Sequence, residues 1–200
     1  MKITAIRQQQ RQQGRYSIFV AGKYSFSLSE SALLESKLVS GQELSPEQVK
    51  EFKQLSNDDK LYGRALRYAA MRPHSRWEME SYLQRKKSDP LLCQRILNKL
   101  SDLGLIDDLA FARSWVASRR LLKPVSRRRL TQELRQKRVS SDVIEAVLKE
   151  DETDERATLR ELVERKRKQT KYQDTMKLMQ FLARQGFNYD DIKSVLAKAE

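Results

Sequence analysis

Three leucines, Leu83, Leu134 and Leu182, each stand 14 residues before another leucine: Leu97, Leu148 and Leu196. At plus ten from each anchor come Cys93, Ile144 and Ile192, and at plus thirteen Ile96, Val147 and Val195. Four positions are therefore apolar in all three copies, which are spaced 51 and then 48 residues apart. Self-similarity at a fixed period of this size marks a repeat architecture in which each copy is one supersecondary unit. Each copy has room for a first helix around Leu66, Phe111 or Leu159, a second ending near the anchor leucine, and a third ending near the last leucine. The chain is expected to be mainly α, with tandem three-helix units forming an elongated, curved array. Neighbouring units should complete one another's cores and act as one cooperative body. The expected units are 57–106, 107–150 and 151–200, after an N-terminal region 1–56 holding a β-hairpin and short helices.

Helix punctuation fits this scheme, as does the scarcity of breakers: six Gly and four Pro in 200 residues. Ser45-Pro46-Glu47-Gln48 reads as a capping box with proline at the first helical position, and Ser56-Asn57-Asp58-Asp59 as a second helix start. After Pro73, Ser75-Arg76-Trp77-Glu78 reads as another capping box; Asp89-Pro90 opens the next helix and Gly104 ends it. The N-terminal stretch differs. Tyr16, Ile18 and Val20, the turn Ala21-Gly22, then Tyr24, Phe26 and Leu28 alternate as a hairpin does, with Ile3, Ala5 and Ile6 adding a further short strand before the polar turn Gln8 to Gln13. So few strands are marginal alone and must pack against helices.

Charge is concentrated. Between Leu109 and Ser140 lie ten Arg or Lys residues against one acid, Glu133, which accounts for +9 of a net charge of +13. Arg119, Arg120 and Lys123 close one helix and Arg127, Arg128 and Arg129 open the next. Cations at a helix N-terminus oppose its dipole, so helix stability does not account for the second triplet, and a partner is the sharper reading. Arg165, Lys166, Arg167, Lys168 and Lys171 fall at the corresponding connection of the third unit, so that both clusters would share one face. Arginine forks suit phosphate and carboxylate alike, so DNA and an acidic protein groove are both admissible. Phe111 and Trp115 sit on the apolar stripe and read as core rather than as stacking platforms for bases.

Catalytic chemistry finds little support. One cysteine, Cys93, reads as a small core residue, and the single histidine, His74, as local to the capping box it precedes. The common nucleotide, zinc-protease and serine-hydrolase signatures are missing. Asp107-Asp108 can in principle hold Mg²⁺, but adjacent helical residues diverge and acids favour a helix start, so the pair reads as a cap. No catalytic residue, metal or cofactor is expected. No run approaches the ~18 apolar residues of a membrane span, and the N-terminus lacks an apolar leader core. A cytoplasmic monomer is expected.

Four blocks carry a family likeness: Arg72-Pro73-His74-Ser75-x-x-Glu78-Met79; Leu103-Gly104-Leu105-Ile106-Asp107-Asp108-x-x-Phe111-Ala112; Leu130-x-x-Glu133-Leu134-x-x-Lys137; and Arg184-x-Gly186-Phe187. In this order, over roughly Leu61 to Glu200, they resemble the RecX regulatory proteins of bacteria, and the N-terminal hairpin resembles an extension found in some members. The resemblance implies a tandem array of three-helix units that lodges in the groove of the RecA filament on single-stranded DNA. There it would inhibit ATP hydrolysis and strand exchange, favouring disassembly or blocking extension, without catalytic residues. A direct, non-sequence-specific DNA-binding or architectural protein is the alternative. Two departures stand out: the family usually has Lys-Gly where this chain has Lys123-Pro124, and again where it has Lys137-Arg138.

Overall fold

The computed structural model describes residues 1–198; the last two residues of the expected unit 151–200 lie outside the described residues. Three strands, β1 (Ile3–Gln8), β2 (Arg15–Val20) and β3 (Lys23–Ser29), form an antiparallel meander. Ala21 and Gly22 both take positive φ, 49° and 78°, as a two-residue hairpin turn requires. The inner face, with Ile3, Ile18, Phe26 and Leu28, packs on α1 (Glu30–Ser36) and the first half of α2 (Pro46–Ala69), where Phe52 stacks on Phe26 at 5.7 Å.

Helix α2 corrects one expectation. It begins at the capping box, Ser45 bonding with Gln48 in both directions, and continues for 24 residues without a second start at Ser56. Ser56 is buried mid-helix, donating to Ser27 O at 2.6 Å and accepting from Ser27 N at 3.3 Å. Asp59 accepts from the Ser29 amide and hydroxyl and pairs with buried Arg15 at 2.9 Å. The polar residues that look like a helix start are the face on which β3 is seated. A boundary at 56/57 therefore falls inside a helix whose first half serves the sheet and whose second half opens the first three-helix unit.

The units follow as α3 (Arg76–Arg85) and α4 (Pro90–Asp102) with the end of α2; α5 (Asp108–Leu122), α6 (Arg127–Gln136) and α7 (Ser141–Glu150); and α8 (Glu155–Arg167), α9 (Thr175–Arg184) and α10 (Tyr189–Ala197). Below they are units 1, 2 and 3. The repeat is physical. Leu83, Leu134 and Leu182 are each 0% exposed, and each accepts at its carbonyl from the amide five residues on, at Ser88, Val139 and Phe187. The residue between takes positive φ every time: Lys87 at 55°, Arg138 at 55° and Gly186 at 89°. Each second helix thus ends in the same left-handed closure, with the anchor leucine at its base. Cys93, Ile144, Ile192, Ile96, Val147, Val195, Leu97 and Leu196 are buried and Leu148 half-buried, as the spacing predicts.

One expectation about the units is corrected. Each closes its own apolar core, around Met79, Leu83 and Leu100 in unit 1, Phe111, Leu130 and Leu134 in unit 2, and Leu159, Leu178 and Leu182 in unit 3. Three amphipathic helices suffice to cover such a core, so the junctions are left to polar groups.

Arg138 occupies a backbone conformation that glycine adopts freely and an L-residue adopts at a cost. Arg138→Gly should raise stability by about 0.5–1 kcal/mol, read as a higher urea midpoint; an unchanged or lower midpoint would show that the arginine side chain compensates. At Pro124 no positive φ arises, so no glycine is required there.

Candidate partner-binding surface

The junctions decide which cations are free to meet a partner. Between units 1 and 2, Asp107 caps its own helix, accepting from the amides of Leu109 and Ala110, while Asp108 reaches across to accept from the Arg76 amide at 2.8 Å. Glu155, the first residue of α8, does the same for the Arg127 amide at 3.0 Å. An acid at the start of each later unit thus neutralises the positive end of the previous unit's second helix.

A second clamp closes the first junction. Glu78 of α3 is buried among Arg72, His74 and Lys137 rather than turned back to complete a capping box, although Ser75 does cap its amide. Its Oε1 accepts from Lys137 Nζ at 2.7 Å, and its Oε2 lies 3.0 Å from Arg72 and 3.1 Å from His74 Nδ1. Burial opposes ionisation of Glu78, but the Lys137 and Arg72 donors outweigh it and hold the carboxyl below its ordinary range. His74, packed on Tyr68, is held below the usual imidazole range by burial and by the Arg72 charge. The Lys137 ammonium also lies over Trp115 and Trp77, at 5.3 and 5.8 Å.

These contacts divide the expected rail. Arg119 donates to Glu133 at 2.7 Å and lies over Trp115, whose indole donates to the same carboxylate at 3.0 Å; Arg129 approaches Glu133 at 3.4 Å. Arg120 pairs with Asp151 at 2.6 Å and donates to Val125 O, and Arg127 donates to Asp151 O. Burial opposes ionisation of Asp151, yet donation from Arg120 and Thr153 keeps its carboxyl below the ordinary range. Arg119 and Arg129 are therefore engaged within unit 2, and Arg120 and Arg127 at its connection to unit 3. Lys123 and Arg128 are exposed and have no ion-pair partner among the described residues. In unit 3, Lys166 lies over Phe181 and Tyr172, Lys171 over Tyr172, and Arg167 turns a guanidinium nitrogen inward, whereas Arg165 and Lys168 are exposed.

A further basic groove gave no signal in the sequence, because its residues are scattered along the chain. Lys60 and Arg64 of α2, Lys86 and Lys87 after α3, and Arg95 of α4 line an open groove of about 510 Å³, with Asp58, 4.0 Å from Arg95, and Asp89 also in its wall.

Comparison with known proteins places this arrangement. The chain matches the Regulatory protein RecX N-terminal domain over residues 1–45 and the first, second and third RecX three-helix domains over 62–100, 107–148 and 153–196. The chain belongs to the RecX family. It is 36% identical to Regulatory protein RecX of Lactobacillus delbrueckii subsp. bulgaricus over 146 residues, 73% of this chain and 54% of that protein, so the match spans about half the length of that relative. It is 29% identical to Regulatory protein RecX of Listeria innocua over 204 residues, covering 100% of this chain and 76% of that one. A crystal structure of regulatory protein RecX superposes with a TM-score of 0.75 at 27% identity, covering 100% and 99% of the two chains; that of RecX from Lactobacillus salivarius gives 0.57 at 25%, covering 70% and 95%.

Several residues on which the RecX resemblance rests are the structural joints of the array. Asp107 and Asp108 cap helices on either side of the first junction, Glu133 collects three donors, Phe111, Ala112 and Leu134 fill the unit 2 core, and Phe187 fills that of unit 3. Gly186 sits with Ser126 and Arg129 of unit 2 packed against its α-carbon. RecX is a family of regulatory proteins by the description of its members, and no helix among the described residues is long and apolar enough to cross a membrane.

Proposed function

We propose that this chain is a non-enzymatic, monomeric, cytoplasmic regulator of the RecA recombinase. It lodges in the groove of the RecA filament on single-stranded DNA and inhibits ATP hydrolysis and strand exchange. The observation that carries this reading is the set of exposed cations at equivalent connections of units 2 and 3: Lys123 and Arg128 in one, Arg165, Lys168 and Lys171 in the other. Membership of a regulatory family and this repeated, unneutralised charge support a polyanionic or acidic partner contacted at more than one unit.

The combined substitution Lys123→Glu, Arg128→Glu, Lys168→Glu and Lys171→Glu should weaken inhibition of DNA-dependent RecA ATP hydrolysis by about tenfold or more, with helicity unchanged. Undiminished inhibition would remove the rail from the reading. Reversing Arg127, Arg128 and Arg129 together is the poorer test, because Arg127 and Arg129 also secure the second junction and the Glu133 cluster.

The groove of Lys60, Arg64, Lys86, Lys87 and Arg95 favours a second reading, direct binding to nucleic-acid phosphate. Titration of single-stranded DNA without RecA separates the two. Tight binding that falls steeply with salt supports the DNA-binding protein, and weak DNA binding beside tight filament binding supports the regulator.

A further inference from the structure

The repeat supplies its own comparison at the two junctions. Each second helix is capped by Ser75, Ser126 or Asp174, so Glu78 of α3 and Arg129 of α6 hold the same place, three residues beyond the cap. Lys137 and Gln185 likewise correspond, each immediately following its helix. At the first junction a carboxylate from the earlier unit meets an ammonium from the later one at 2.7 Å. At the second, the same two places carry a guanidinium and a neutral amide, so the carboxylate is missing from the place where the repeat otherwise puts one.

What surrounds that place is cationic. An open groove of about 610 Å³ between α6 and α9 is lined by Arg128, Arg129, Gln132, Phe181, Arg184 and Gln185 among others, with no acidic residue among the described residues of its wall. Arg129 donates to the Gln132 side-chain oxygen at 3.2 Å and approaches one carboxylate, Glu133, at 3.4 Å, and Glu133 already serves Trp115 and Arg119. Arg128 and Arg184 are exposed and have no ion-pair partner among the described residues. On the far side of Arg128 stand Asp154 and Glu155, but Glu155 is engaged by the Arg127 amide and Asp154 caps α8.

We propose that this groove is a docking slot for an acidic peptide segment of a partner protein, a carboxylate entering between Arg128, Arg129 and Arg184. A carboxylate is favoured over a phosphodiester because the repeat seats a carboxylate at the equivalent junction. Arginine forks match its planar geometry, and Phe181 with the side-chain amides of Gln132 and Gln185 offers an apolar wall and polar groups for a peptide main chain to bond. The slot deepens the proposed regulation of RecA by giving the chemistry of the docking segment, and it rests on that reading only for which protein supplies it.

The test is fluorescence anisotropy of the full chain with a labelled Glu/Asp-rich peptide, its Gln/Asn counterpart, and a single-stranded oligonucleotide. Arg184→Glu is compared with Lys149→Glu, an equal charge change at an exposed position on α7. The acidic peptide should bind, its neutral counterpart should not, and Arg184→Glu should weaken binding by about tenfold or more while Lys149→Glu leaves it unchanged. Equal losses in both variants would reduce the slot to diffuse attraction and overturn it. So would an Arg184→Glu effect confined to the oligonucleotide, or no effect at all. Co-sedimentation with RecA filaments runs alongside: lost peptide binding with filament binding intact upholds the slot and counts against RecA as the source of the segment.

Discussion

Gly186→Ala should lower stability by about 2–4 kcal/mol, with the loss concentrated at the junction between units 2 and 3. Two costs add at this residue. Its φ of +89° is one that an L-side chain adopts only with strain. A β-carbon here would also lie 2.4 Å from Ser126 Oγ, 2.9 Å from Arg129 Cβ and 3.1 Å from the Arg129 amide nitrogen, so backbone as well as side chain must move. The residues displaced are not idle. Ser126 Oγ caps α6 by accepting from that Arg129 amide at 3.1 Å, and the Ser126 amide donates across the junction to Gln185 O at 3.1 Å. A shift at one atom therefore loosens a helix cap and an inter-unit hydrogen bond together. Gly104→Ala is the internal control: its φ is +68°, but nothing lies within 4 Å of the added carbon, so it reports the backbone cost alone, about 1–2 kcal/mol. Urea midpoints of the two variants should differ by the steric share. Equal midpoints would mean that Gly186 is a turn residue and not a contact between units.

The contrast between these two glycines shows what was legible in the chain. The end of α4 at Gly104 is readable from position alone, as are Leu83, Leu134 and Leu182, because a three-helix unit forces the same few sites inward in every copy. The hairpin was readable for a similar reason, since its period and its Ala21-Gly22 turn are local. The junctions were not. Glu78 and Lys137 are 59 residues apart and their pairing is not repeated, Arg129 and Gln185 taking their places at the next junction. Asp108 and Glu155 do recur at the starts of successive units, and that periodicity is the one signal that could have revealed caps crossing between units. The rail was visible as charge density but not as two populations, because the groups that claim Arg120 and Arg127, the Asp151 carboxylate and the Asp151 main-chain carbonyl, come from a distant connection. Ser56 misled for the opposite reason: its neighbours look locally like a helix start, and only the approach of β3 explains a serine in mid-helix.

Lys137→Met should cost about 3–5 kcal/mol, because it strips one partner from a buried ion pair and leaves the other. Glu78 is 8% exposed and would retain only Arg72, itself half in solvent, and a neutral His74. The ammonium's contacts with Trp77 and Trp115 are lost as well, though the methionine restores part of that packing. Glu78→Gln combined with Lys137→Met should be milder than the sum of the single changes, since no buried charge is then left facing an apolar neighbour. Additive losses in that cycle would show that the pair does not couple the units. The same cluster fixes the sign of the acid response. Glu78 has a depressed folded pKa, so its contribution is present above the ordinary carboxylate value of 4.5 and is lost as pH falls through the lower folded value. His74 is likewise depressed, so below its ordinary 6.5 the unfolded chain takes up a proton that the folded chain resists. Both effects weaken the first junction on acidification, the histidine beginning first. Glu78→Gln should therefore flatten the acid limb of stability below pH 4.5 and, by removing the carboxylate that partly offsets the depression of His74, steepen the slope nearer 6.5. Asp151, depressed in the same sense at the second junction, keeps a share of that limb. An acid limb below pH 4.5 unaltered by Glu78→Gln would place the carboxylate share of the acid sensitivity outside the junction between units 1 and 2.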